Sequence, residues 1–118
     1  KICENFEPFS ILAKSAGCLL ALKLICEDKI NPEKCFFMGF PYGFGRNIGL
    51  DIDSMFAKYK TPTLFLQKTQ DPAMASRKLK DYLSTKDIPN YEIQEIPGSE
   101  HHYGDIELLK DLWGDFIS

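Results

Sequence analysis

Four short apolar segments, separated by longer stretches of helical pattern, set what this chain can fold into. Phe9 to Ala13, Lys34 to Phe40 and Thr63 to Gln67 carry few polar residues and are too short for ordinary helices. Such runs predict strands buried on both faces. Tyr91 to Ile96 alternates instead, which predicts a half-buried or edge strand. Between the first two runs, Cys18 to Glu27 is apolar nearly all round, the mark of a buried helix. A glycine-bearing loop over Pro41 to Gly49 then leads to a short helix over Asp51 to Tyr59, with Asp51 or Asp53 near its start. Ala73 to Ser84 predicts a further helix with Leu79, Tyr82 and Leu83 on one face. Asp105 to Ile117 predicts an amphipathic closing helix carrying Ile106, Leu109, Leu112, Trp113 and Phe116. Strands alternating with helices imply an α/β class: three layers, with a mostly parallel sheet of about four strands flanked by helices.

The 118 residues suit a single domain, and no internal repeat or linker divides them. Aromatics at 13% exclude a disordered chain, which is poor in them. A net charge of -3 argues against a general nucleic-acid binder, which carries a basic surplus. No apolar run reaches the roughly 18 residues that span a bilayer. The richest stretch, Ala16 to Cys26, is broken by Lys23. Neither nucleic acid nor a membrane is therefore the expected partner. Cys3, Cys18, Cys26 and Cys35 form no C-x-x-C pair, so zinc-site spacing is absent. Three of them sit in apolar surroundings, where a free thiol packs as a small hydrophobe. Free thiols and the lack of a visible signal peptide point to a reducing compartment, the cytoplasm. The chain starts at Lys1 without Met and reads as an N-terminally truncated piece of a longer one.

Ser15 stands between the first strand and the first helix, beside Ala13, Ala16 and Gly17. This has the form of a nucleophile elbow, a strand-to-helix turn that lifts a serine hydroxyl above the sheet. The small neighbours suit a crowded turn. The backbone N–H of Ala16, at the start of the helix, is placed to stabilise an oxyanion. Asp71 follows the third strand and His101 follows the fourth. In a parallel sheet all three positions fall at carboxyl ends of strands, where α/β sites form.

Plainer roles exist for each. Ser15 also suits a turn or N-cap. Asp71-Pro72 is a common helix start. His101 and His102 are adjacent, which is poor metal-ligand geometry, so no metal is expected. Lys14 reads as a solvated or cleft-lining group. The spacing Gly43-x-Gly45-x-x-x-Gly49 is one residue too long for the dinucleotide fingerprint and reads better as a flexible loop or lid. From that loop Phe40, Tyr42 and Phe44 either line a substrate pocket or pack in the core.

Three motifs together resemble the C-terminal half of an α/β-hydrolase, nearest its dienelactone-hydrolase and serine-esterase-like branch. Ala13-Lys14-Ser15-Ala16-Gly17 is similar to the G-x-S-x-G elbow. Thr69-Gln70-Asp71-Pro72 is similar to a G-x-x-D-P acid loop, and Gly98-Ser99-Glu100-His101-His102-Tyr103 to a G-x-D-H-x-[FY] histidine loop. The resemblance runs from Pro8 to Ser118. It implies strands five to eight of that fold, with Ser15 as nucleophile, Asp71 as orienting acid and His101 as general base. It implies a small-molecule acyl substrate as partner, cleaved at an ester, thioester or related acyl bond without cofactor or metal. Ala13 and Thr69 depart from the family pattern, which favours glycine at both places. The first half of the family's fold, with its second oxyanion donor, has no counterpart here. The elbow strand then becomes a sheet edge, and an edge this apolar predicts pairing with a second copy, as a homodimer, or with a missing N-terminal segment. A non-catalytic hydrolase-like interaction module is the competing reading, and a nucleotide-binding domain using the glycine loop is a weaker third.

Overall fold

A computed structural model describes residues 9–86 and 88–101. Its elements, in chain order, are β1 (Ser10–Lys14), α1 (Ala16–Cys26), β2 (Lys34–Met38), α2 (Tyr42–Asn47), α3 (Ile52–Lys58), β3 (Thr63–Lys68), α4 (Ser76–Ser84) and β4 (Tyr91–Ile96). The closing helix expected over Asp105 to Ile117, together with His102 and Cys3, lies outside the described residues.

The strands form one sheet in sequence order, β1-β2-β3-β4, and every pairing is parallel. Parallel neighbours need a crossover, and helices supply each one. Right-handed crossovers advancing in one direction gather those helices on one face. The packing agrees. Leu19 and Leu22 of α1, Ile52 and Phe56 of α3, and Leu79 and Leu83 of α4 share one cluster with Cys35, Phe37 and Phe65 of the sheet. Phe37 meets Phe65 edge-on with ring centroids 5.7 Å apart. The alternate residues of the same strands, Phe36, Met38, Leu64 and Leu66, are buried on the opposite face beside Ile96. Burial on both faces is why β2 and β3 read as continuous apolar runs. The result is the expected α/β class, a four-stranded, all-parallel sheet flanked by helices.

Three boundaries differ from the sequence expectation, each for a local reason. β2 stops at Met38, before Gly39, whose φ of 65° turns the chain. Pro41 to Gly49 is not a loop or lid but contains α2. Its glycines serve packing and termination. A Cβ on Gly45 would lie 2.7 Å from Cδ1 of Ile52 and 3.2 Å from both methyls of Leu19, so the bare backbone lets α2 settle between α1 and α3. Gly49, at φ 90°, lies just past the end of α2. The helix after Asp71 begins at Ser76 and not at Ala73, because the Asp71 carboxylate accepts the Ala73 N–H at 2.8 Å and holds a turn there. Of the two acids proposed to start α3, Asp51 is the cap. Its Oδ1 accepts the Ser54 N–H at 3.2 Å, while Asp53 pairs with Lys86 at 3.1 Å.

Among the described residues β1 is one sheet edge and β4 the other. Leu12 of β1 is 52% exposed, unlike its neighbour Phe36 across the pairing, which is fully buried. No described helix is long and apolar enough to cross a membrane.

Replacing Gly45 by leucine forces side-chain volume between Leu19 and Ile52. The expected outcome is a loss of about 1–3 kcal/mol of stability, the usual cost of overpacking, read from urea unfolding.

Candidate active site

β1 delivers Ser15 to the carboxyl edge of the sheet, and the chain reverses there into α1. Ser15 adopts φ 50° and ψ -124°, a combination that a residue with a Cβ rarely takes. Holding it costs on the order of 1–3 kcal/mol, so neighbours must over-determine it. They do so from three sides. The Ser15 N–H donates to the Met38 carbonyl at 2.9 Å, carrying the β1–β2 pairing one residue past the strand. The Ser15 carbonyl accepts the Cys18 N–H at 2.9 Å. The Cys18 thiol, fully buried beneath the turn, points to the carbonyls of Ala13 at 3.5 Å and Met38 at 3.6 Å. Crowding is not the constraint at Gly17, where an added Cβ would meet the Cβ of Ala13 at an ordinary 3.8 Å.

The three loops converge as the motif order requires. Ser15 Oγ lies 2.7 Å from His101 Nε2. His101 Nδ1 lies 2.9 Å from each carboxylate oxygen of Asp71. The Asp71 side chain is fully buried, whereas that of His101 is 29% exposed. An ionised carboxylate only accepts, so His101 Nδ1–H donates to it and the Nε2 lone pair faces the serine hydroxyl. Asp71 also accepts the Ala73 N–H and so forms a turn; it is not the helix start that the sequence offered for it, because α4 begins at Ser76 with Ala75 as its N-cap. Backbone bonds fix the acid loop to the histidine loop: Thr69 N–H donates to Ile96 at 2.8 Å and Gln70 N–H to Gly98 at 2.9 Å.

Ala16 is the first residue of α1, so its amide is among those that a helix leaves without an internal acceptor. No acidic residue occupies the first turn of α1 to offset the positive end of the helix dipole.

The three aromatics with an open assignment separate. Phe40 is fully buried and packs on Phe56 and Phe65 at centroid distances of 5.6 and 6.0 Å. It belongs to the core, and its assignment to a substrate pocket is corrected on that ground. Tyr42 is half-buried, packs at a tilt against Tyr82 with ring centroids 4.7 Å apart and accepts a hydrogen bond from Arg46 Nη1 at 2.8 Å. Phe44, 50% exposed on α2, keeps an apolar ring at the surface. Lys14 is exposed at the end of β1.

Cys18 and Cys35 are buried free thiols and Cys26 is a half-buried one. Burial pushes the Cys18 thiol far up and that of Cys35 up to about 11. Both are packing groups and not nucleophiles. The role of Cys18 under the elbow was missed in the sequence, although its spacing of three residues from Ser15 is the available signal. The Met38 carbonyl left no signal, since any residue supplies one.

No family model matches the chain, and no curated protein matches it. Among solved structures it is similar to an uncharacterized protein from Bacillus cereus ATCC 10987, with a TM-score of 0.70 and 21% identity. The match covers 99% of this chain and 40% of that one. At this identity the likeness is one of fold, and the chain spans well under half of that protein's length.

The raised thiols fix the sign of a pH effect. The folded state keeps Cys35 protonated up to about 11, whereas its ordinary value is 9.0. The unfolded chain therefore releases this proton first, and stability is full below the ordinary value and lost as pH rises. Urea midpoints should fall between pH 9.0 and about 11, and Cys35→Ala should lessen that slope while buried Cys18, raised in the same direction, keeps the remainder.

Proposed function

We propose that this chain carries the nucleophile, acid and base of a serine hydrolase of the α/β-hydrolase type, acting on an ester, thioester or related acyl bond. The observation that carries the reading is the continuous hydrogen-bonded line from Ser15 through His101 to buried Asp71, on a serine held at positive φ. The likeness to the Bacillus cereus structure supports the scaffold alone.

Ser15 Oγ attacks the acyl carbon while His101 Nε2 takes its proton. Asp71 holds the imidazole with Nδ1–H facing the carboxylate and stabilises the imidazolium that forms. The developing oxyanion is met by the Ala16 N–H, and a single donor of this kind is worth about 10²–10³ in turnover. The imidazolium then protonates the leaving group, and water, deprotonated by His101, releases the acyl group. With Phe40 in the core, Tyr42 and exposed Phe44 are the aromatics left to contact an acyl chain. The three described thiols, all free, fit a reducing compartment such as the cytoplasm.

Labelling with a fluorophosphonate probe, located by peptide mass spectrometry, tests this reading. Ser15 should carry the label, Ser15→Ala and His101→Gln should abolish it, and Asp71→Asn should lower ester turnover by about 10⁴ through the wrong tautomer. Labelling that is absent, or undiminished in His101→Gln, overturns it.

The exposed edge favours a second reading, a non-catalytic module that works by pairing along β1. Phe9 is 37% and Leu12 52% exposed there, and an apolar edge is a template for another strand, from a second copy or from a preceding segment. Light scattering should then show a homodimer that Leu12→Lys converts to monomers. A monodisperse monomer in the unsubstituted chain removes the homodimer.

A further inference from the structure

Gln67, near the end of β3, is fully buried, four residues before Asp71, and each polar atom of its side chain is engaged. Oε1 accepts the Phe40 N–H at 2.9 Å. Nε2 donates to the Met74 carbonyl at 2.7 Å and to the Phe40 carbonyl at 3.3 Å. Phe40 belongs to the segment between β2 and α2, and Met74 to the acid loop between Asp71 and α4. One amide thus clasps two neighbouring loops at the carboxyl edge of the sheet.

The acid loop is held on its other side by the bonds of Thr69 and Gln70 to Ile96 and Gly98. From within, it is closed by the Ala73 N–H on the Asp71 carboxylate. Gln67 supplies the hold toward α2, whose first turn lies against the same loop: a Cβ on Gly43 would sit 3.9 Å from the Ala73 carbonyl. The partners of Gln67 are main-chain groups: the Phe40 carbonyl keeps a second donor in the Tyr42 N–H, but truncating Gln67 strands the buried Phe40 N–H and takes its side-chain donor from the part-buried Met74 carbonyl. The loop between Lys68 and Ser76 would then relax where it carries Asp71.

We infer that Gln67 is a positioning residue for the pair Asp71–His101: by clasping Met74 to Phe40 it keeps the Asp71 carboxylate on His101 Nδ1. Its consequence for catalysis rests on the hydrolase reading above, while its consequence for the histidine does not.

The test uses the full chain. Gln67→Met keeps length and volume but removes the amide. Two readouts are compared: the rate of fluorophosphonate labelling at Ser15, and the pKa of His101 by proton NMR in a His102→Gln background that leaves one histidine. Gln67→Met should slow labelling by about 100-fold, as small misplacements of a catalytic group do. It should also move the His101 pKa down, toward the value in Asp71→Asn. In the Asp71→Asn background it should add nothing, because Gln67 acts through Asp71. An unchanged His101 pKa, or effects of the two substitutions that multiply, overturns the inference.

The two proposals fail separately. If the unsubstituted chain does not label but the His101 pKa moves with Gln67→Met, the hydrolase reading falls and the positioning role stands. If it labels and neither readout moves, the reverse holds. Should Gln67→Met lose its folded circular-dichroism spectrum, Gln67→Glu carries the test. Its acid form still donates to the Met74 carbonyl, but its ionised form sets a charge against two carbonyls. The pH profile of labelling should then gain an alkaline descent that the unsubstituted chain lacks, and an identical profile overturns the inference.

Discussion

The Met38 carbonyl accepts the Ser15 amide at 2.9 Å, and the geometry of the elbow follows from that bond. β1 and β2 pair in register from Ser10↔Lys34 to Lys14↔Met38, so the last carbonyl of β2 arrives where β1 has just ended. β1 carries the Ser15 N–H to it, and beyond that nitrogen the chain turns to positive φ and enters α1 at Ala16. The Cys18 thiol reaches the same carbonyl from the first turn of that helix. A conformation that costs energy by itself is thus fixed by a strand pairing and a buried thiol, neither of which touches the hydroxyl.

The same logic repeats at the other two strand ends. Loops after parallel strands are short and emerge on one side of the sheet, which is where α/β proteins collect reactive groups. Here the loops are not independent. The acid loop is bonded to the histidine loop through main-chain amides, and to the segment before α2 through Gln67. Apolar packing on the helix-bearing face, centred on Phe37, Phe40, Phe56 and Phe65, holds the platform beneath them.

Element order and strand positions were legible because β2 and β3 are buried on both faces and β4 is half-buried, which leaves apolar runs told from helices by their shortness and one alternating segment told by its period. Ser15, Asp71 and His101 were legible as an order of motifs after strands. The assignment of Pro41 to Gly49 to a loop failed because glycine has two uses. Gly45 is a close-packing residue between Leu19 and Ile52, and only the tertiary neighbours distinguish that from flexibility. Phe40 had no periodicity to place it, since it follows the strand, and its burial comes from rings contributed by α3 and β3. Gln67 looked like the polar end of a strand. Its partners are backbone atoms of loops whose approach no local pattern encodes.

The strand order has one more consequence. Neighbouring strands lie about 4.8 Å apart, and Ser15 follows one edge strand while His101 follows the other. Their hydrogen bond joins residues 86 positions apart, across the full width of the sheet. A slip of one residue in any of the three pairings would turn side chains to the wrong face and move one loop end relative to the rest. The 2.7 Å contact between Ser15 and His101 is therefore a gauge of registry for all four strands at once, and reactivity of the serine would report on the whole sheet and not on the elbow alone.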